Sequence, residues 1–193
     1  MNRRAFFLAG ILFELVAVFG LFLPYIFLLQ SGTPITLRTV PIDPRSIFRG
    51  DYVILGYEAG EGLPMTETYG DVVYAVLEKG GDVYERVRFS DTKPELTEGQ
   101  ICLRGRTEYQ RATFPDIAQY FVEEGTGTEW EQAQNAHRLL VDAVVNDDCK
   151  AAIKGLRLGP EVPEDELPEW MQPPLFLEEP PTKPIPAPVE ATP

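Results

Sequence analysis

PIDPRSIFRGDYVILGY, residues 41–57, decides the fold. Asp43 suits a helix N-cap, Pro44 the first helical position and Gly50 the left-handed residue that ends a turn. The spacing therefore predicts one tight helical turn over Asp43–Gly50. That turn feeds a strand, Asp51–Tyr57, with Val53, Leu55 and Tyr57 pointing one way and Tyr52 and Ile54 the other. Gly56 leaves room for a close neighbour or a bulge.

Downstream the pattern stays β-prone, in short runs separated by Gly and Asp turns. The expected strands are Ile35–Val40, Tyr52–Tyr57, Val72–Lys79, Val83–Phe89, Ile101–Arg106, Ile117–Val122, Arg138–Val145 and Lys150–Leu158. Lys79-Gly80-Gly81-Asp82 and Asn146-Asp147-Asp148-Cys149 read as hairpin turns, built from residues that tolerate the left-handed region. One helix is expected outside the membrane: Thr128 and Glu131 fit a capping box, and Glu129 to His137 can follow it. His137 then ends that helix, where a cation suits the dipole.

Upstream, Ala5–Leu29 is apolar except for Glu14, two glycines and Pro24. A span of about 30 Å needs about 20 such residues at about 1.5 Å each, so this run is long enough to cross a bilayer. A cleaved signal peptide is the competing reading, but its apolar region is typically about 7–15 residues, and Leu28 to Gly32 offers no A-x-A-like site. Arg3 and Arg4 crowd the N-terminal flank and the nearest cation beyond the helix is Arg38, so the N-terminus is expected in the cytoplasm and residues 31–193 outside. Glu14 lies about 14 Å from Ala5 along the helix, near mid-bilayer, where an acid costs on the order of 2.5–3.5 kcal/mol. Gly10, Glu14 and Ala17 share one face, a small-residue stripe with one hydrogen-bonding group, which suits packing against another transmembrane helix. A protonated Glu14 tolerated by tilt and local thinning is the plainer alternative.

The net charge of -13 speaks against nucleic-acid binding, which needs clustered Lys and Arg. From Pro160 onward, eleven of 34 residues are proline, mixed with Glu, a composition that favours extended, disordered chain. The expected organisation is mostly β (α+β): a transmembrane signal anchor over 1–30, a compact β-sandwich or barrel-like domain with one short helix over 31–159, and a disordered Pro-rich tail over 160–193. A tether of about ten residues is expected between the anchor and the domain.

Gly50, Asp51, Tyr52, Leu55 and Tyr57, led in by Pro41, Asp43, Pro44 and Arg45, resemble the GDYXXLXY domain family of bacterial membrane-anchored proteins. Tyr120 to Gly125 and the Ala151–Leu156 hairpin resemble the family's C-terminal half, so the likeness covers roughly Thr33 to Gly159. It implies an extracytoplasmic domain in a bacterial inner or internal membrane and carries no activity, because members are generally uncharacterised. Cys149 stands where a turn glycine is common in the family, a departure that bears on that turn's geometry.

Within the motif, Asp43, Arg45, Arg49 and Asp51 can form a charged contact cluster. Gly-Asp followed by a β run recurs at Gly70-Asp71 and Gly81-Asp82, however, which is what strand-entry turns produce. The arrangement after the anchor also looks like signal peptidase I, but Ile42 occupies the nucleophile's place. Ser46 is displaced from it, and Lys79, Lys93, Lys150 and Lys154 lack the flanks of that family's base. One histidine makes neither a zinc set nor a triad, and Glu123, Glu124, Glu129 and Glu131 lack a calcium ladder. No catalytic residue, metal or cofactor is therefore assigned. Cys102 and Cys149 can form a disulfide outside the cytoplasm, or Cys102 can be a small core residue on its strand. The expected role is an accessory or interaction subunit of a membrane complex, partnered by the bilayer and another integral membrane protein. A membrane-tethered hydrolase or ligand-binding domain using Asp43–Tyr57 is the alternative.

Overall fold

Arg3–Ser31 forms a single helix, α1, of 29 residues. The structure, a computed structural model, describes residues 3–42, 52–64 and 69–160. Phe6–Ser31 is apolar enough to cross a membrane, and its side chains are exposed except for Leu28 and Leu29, which are partly buried. Among the described residues there are ten strands: β1 (Thr33–Val40), β2 (Tyr52–Ile54), β3 (Gly56–Tyr57), β4 (Val72–Gly80), β5 (Val83–Ser90), β6 (Gln100–Glu108), β7 (Arg111–Thr113), β8 (Gln119–Phe121), β9 (Leu139–Val145) and β10 (Ala151–Leu158). A second helix, α2, covers Gly127–Asn135.

These strands make two four-stranded antiparallel sheets, ordered β10-β9-β1-β3 and β5-β4-β6-β7, with β2 and β8 as a separate pair, together a half-barrel. Leu37, Leu77, Leu103, Leu139 and Val141 are fully buried between the sheets. Removing one such side chain from water stabilises the fold by about 1.5–3 kcal/mol. Strand β9, LLVDAVV, is buried at every position but Asp142 because it lies between β10 and β1, so it reads as an apolar run rather than an alternating one. Cys102 of β6 is bonded to Cys149 in the β9–β10 turn, and the Arg104 amide donates to the Cys149 carbonyl at 2.8 Å, so the two sheets are joined at this corner.

The structure corrects several expectations. No ten-residue tether intervenes between anchor and domain: the Gly32 amide donates to Leu28 O at 2.9 Å, and Thr33 already pairs with Val145. The strand expected over Tyr52–Tyr57 breaks at Leu55, whose amide donates to Ala118 O, so that β2 pairs with β8 and β3 with β1. Ile117 ends a short 3-10 turn from Pro115 instead of starting a strand. Thr128 is not an N-cap: α2 starts at Gly127 with Thr126 before it, and the Thr126 hydroxyl donates to Glu123 O, outside the helix.

His137 lies two positions beyond the end of α2 and closes it through its backbone. It takes φ 54° just beyond the helix, its amide donating to Gln134 O and the Arg138 amide to Ala133 O, the paired bonds of a Schellman cap usually completed by glycine. Burial and the nearby Arg38 push its imidazole below the ordinary value.

Two outcomes are expected. His137→Gly relieves the left-handed strain and raises stability by about 1 kcal/mol. Because the unfolded imidazole takes up a proton before the folded one as pH falls through about 6.5, wild type loses stability on acidification and the variant loses less. Thermal denaturation at neutral pH and near pH 5 measures both, and a lower melting temperature for the variant at both would refute the cap assignment. The Cys102–Cys149 bond closes a loop spanning 47 positions, and its reduction is expected to lower stability by about 4 kcal/mol on the chain-entropy relation. Urea unfolding with and without reductant checks the loss, and alkylation of either cysteine in the unreduced, unfolded chain would contradict the bond.

Candidate functional site

Gly10, Glu14 and Ala17 fall on one face of α1, in the exposed apolar span. Nothing lies within 4 Å of where a Gly10 Cβ would stand, so no described part of the chain covers this face at that point. Arg45, Arg49 and Asp51, together with Asp43, Ser46 and Gly50, lie outside the described residues, and the helical turn expected there does too.

The described part of the motif segment builds the core. Val53, Leu55 and Tyr57 are buried, while Tyr52 and Ile54 are partly exposed, as the alternation predicts. Tyr57 donates its hydroxyl to Ile117 O at 2.6 Å and meets Phe114 edge to face at 6.0 Å, and burial pushes its phenol well above the ordinary value. A protonated phenol whose hydrogen is held by a backbone carbonyl contributes about 1 kcal/mol to stability and is fixed in place as part of the core. Gly56 is required by packing: a Cβ there would come within 2.6 Å of the Ile42 side chain and 3.0 Å of Val40. Gln134 of α2 reaches the same place and donates to Val40 O. A cavity of about 30 Å³ remains between Ile42, Ile54, Glu131, Gln134 and Asn135, room for about one water.

Two larger concavities lie elsewhere on the domain, one of them beside the start of β1. One, of about 210 Å³, is lined by Pro34, Thr36, Lys79, Asp82, Tyr84, Asp142 and Lys154. Another, of about 180 Å³, is lined by Val72, Arg104, Arg106, Pro115, Asp116 and Lys150. Arg106 donates to Gly70 O at 2.8 Å, and Arg157 holds Asp142 at 3.0 Å. Lys93 reaches Asp148 at 2.9 Å, and this contact draws the exposed Asp148 carboxyl below its ordinary value. In the sequence these lysines were read only against a catalytic base. Nothing in their spacing (79, 93, 150 and 154) brings them together, because the strand pairing assembles them. Among the described residues no three His, Cys, Asp or Glu side chains converge on a common point.

The model of the family described as GDYXXLXY protein matches residues 14–156. No curated protein and no solved structure matches the chain significantly. The match takes in the second half of α1 as well as the sheets and, covering most of the sequence, shows that this chain belongs to the GDYXXLXY family.

Proposed function

We propose that this protein is a single-pass, membrane-anchored accessory or interaction subunit, with its β domain outside the cytoplasm and α1 packed against another integral membrane protein. Glu14 carries the reading: an acid within the span, on the same face as Gly10 and Ala17, with that face uncovered by the described chain. Burying such a group against a partner helix replaces lipid with a hydrogen-bonding neighbour, and the small residues let the two backbones approach. Retention of the helix, as opposed to signal cleavage, is supported by the bonded junction at Gly32 and by a family match that begins at Glu14. Arg3 and Arg4 ahead of the span support a cytoplasmic N-terminus. Arg45, Arg49 and Asp51 remain the candidate contacts of the motif segment.

Affinity purification of the full chain from native membranes in mild detergent tests the partner. Wild type is expected to elute above monomer size with a co-purifying membrane protein. Glu14→Gln, which keeps a hydrogen-bonding group, is expected to retain it, and Glu14→Leu is expected to reduce recovery at least tenfold. Leu removes an insertion cost of about 2.5–3.5 kcal/mol, so failed insertion cannot account for that loss. Monomeric wild type, or a complex indifferent to Glu14→Leu, would sink the reading.

A further inference from the structure

The turn between β6 and β7 holds a conformation that its sequence does not favour. Glu108 pairs with Arg111, so Tyr109 and Gln110 make a two-residue hairpin loop, and Tyr109 takes φ 55°. Hairpins put glycine or asparagine at that place, because a β-carbon is strained in the left-handed region and a bulky side chain more than most. Tyr109 is also 79% exposed, the highest value for a large apolar side chain outside α1 among the described residues. Its ring takes no part in the core. An exposed ring contact contributes little more than such strain costs, so folding alone gives no reason for a tyrosine here.

That ring meets Tyr69, itself 70% exposed, with centroids 5.8 Å apart and planes at 67°. The chain beside Tyr69 is tied to β6, since the Gly70 amide donates to Thr107 O at 2.8 Å. The Tyr69 hydroxyl donates to Glu108 Oε1 at 3.4 Å, and the charge of Glu108 pushes the Tyr69 phenol above its ordinary value. Two steeply inclined rings and one carboxylate therefore face solvent together. The other charged groups of these loops are Glu61, Asp71, Arg106 and Arg111. Arg106 donates to Gly70 O at 2.8 Å and Arg111 approaches Glu61 at 3.9 Å, so both guanidinium groups are engaged away from the rings. Acids and arginines nearly balance, so what selects a ligand here is contact with the ring faces and Glu108 and not a long-range field.

We propose that Tyr69, Tyr109 and Glu108 bind a quaternary ammonium group, the trimethylammonium of a choline-type compound. The face of an aromatic ring is negative and draws a cation to within about 6 Å of its centroid. Centroids 5.8 Å apart let one cation satisfy both rings at once. A primary ammonium or a guanidinium would leave N–H donors without acceptors at this corner, because Glu108 is already shared with the Tyr69 hydroxyl. A methylated ammonium has no N–H to satisfy, and its methyl groups lie against the rings. The site rests neither on the span of α1 nor on a partner at Glu14.

The test is a ligand-observed proton NMR titration of choline against the full-length protein in maltoside detergent, with the neutral carbon isostere dimethylbutanol as control. Choline is expected to bind about tenfold more tightly than the isostere, which has the same shape and no charge. Tyr109→Gly removes the ring and relieves the left-handed strain, so it is expected to raise the melting temperature while weakening choline about tenfold. Tyr69→Phe keeps the ring and is expected to keep binding. A wild type that does not bind choline, equal affinity for choline and its isostere, or a folded Tyr109→Gly variant that binds as wild type does would each overturn the site. Repeating the titration in phosphatidylcholine nanodiscs separates two sources of the same group. Unchanged affinity for choline there assigns the site to a soluble ligand, and weakened affinity assigns it to a lipid headgroup that competes.

Discussion

The junction at Gly32 constrains everything beyond it. A Cβ at that position would stand 2.6 Å from Leu28 O and 2.9 Å from the Val144 side chain, so helix and sheet approach as closely as their backbones allow. The amide of Gly32 still belongs to α1, and the next residue already pairs with Val145. With no slack in the connection, chain connectivity decides which end of the sheet lies beside the helix exit. It is the end bearing the β9–β10 turn. Val40, where β1 delivers the chain toward the motif segment, lies seven residues further, about 23 Å along the sheet.

That placement changes what the motif is for. Tyr52, Leu55 and Tyr57 are the fixed positions within the described residues, and they serve packing: Tyr52 against Phe121, Leu55 and Tyr57 in the core. The break at Leu55 lets one short stretch bridge two partners, β8 on one side of it and β1 on the other. Gly56 is the residue that lets β1 and Ile42 pass close by. A family defined by these positions shares a way of closing its half-barrel, which is a statement about fold and not about chemistry.

Local patterns were legible in the sequence and long-range ones were not. The apolar span, the alternation of Val53, Leu55 and Tyr57, and the hairpin at Gly80-Gly81 rest on near-neighbour chemistry, and the structure holds all three. Strand β7 is three residues long and exists because it pairs with β6, so no periodicity announces it. His137 reads as a helix-ending cation, yet it closes α2 with a left-handed φ, and burial and the nearby Arg38 push its imidazole below the ordinary value. Cys149 occupies a turn position that favours glycine and takes φ 61°, held from one side by its bond to Cys102. The assembly of the lysines by the strand pairing is the largest omission. A count of cations along the chain finds Arg38 first after the span, whereas the fold recruits Lys79, Lys93, Lys150 and Lys154 from far beyond the short flank that governs insertion.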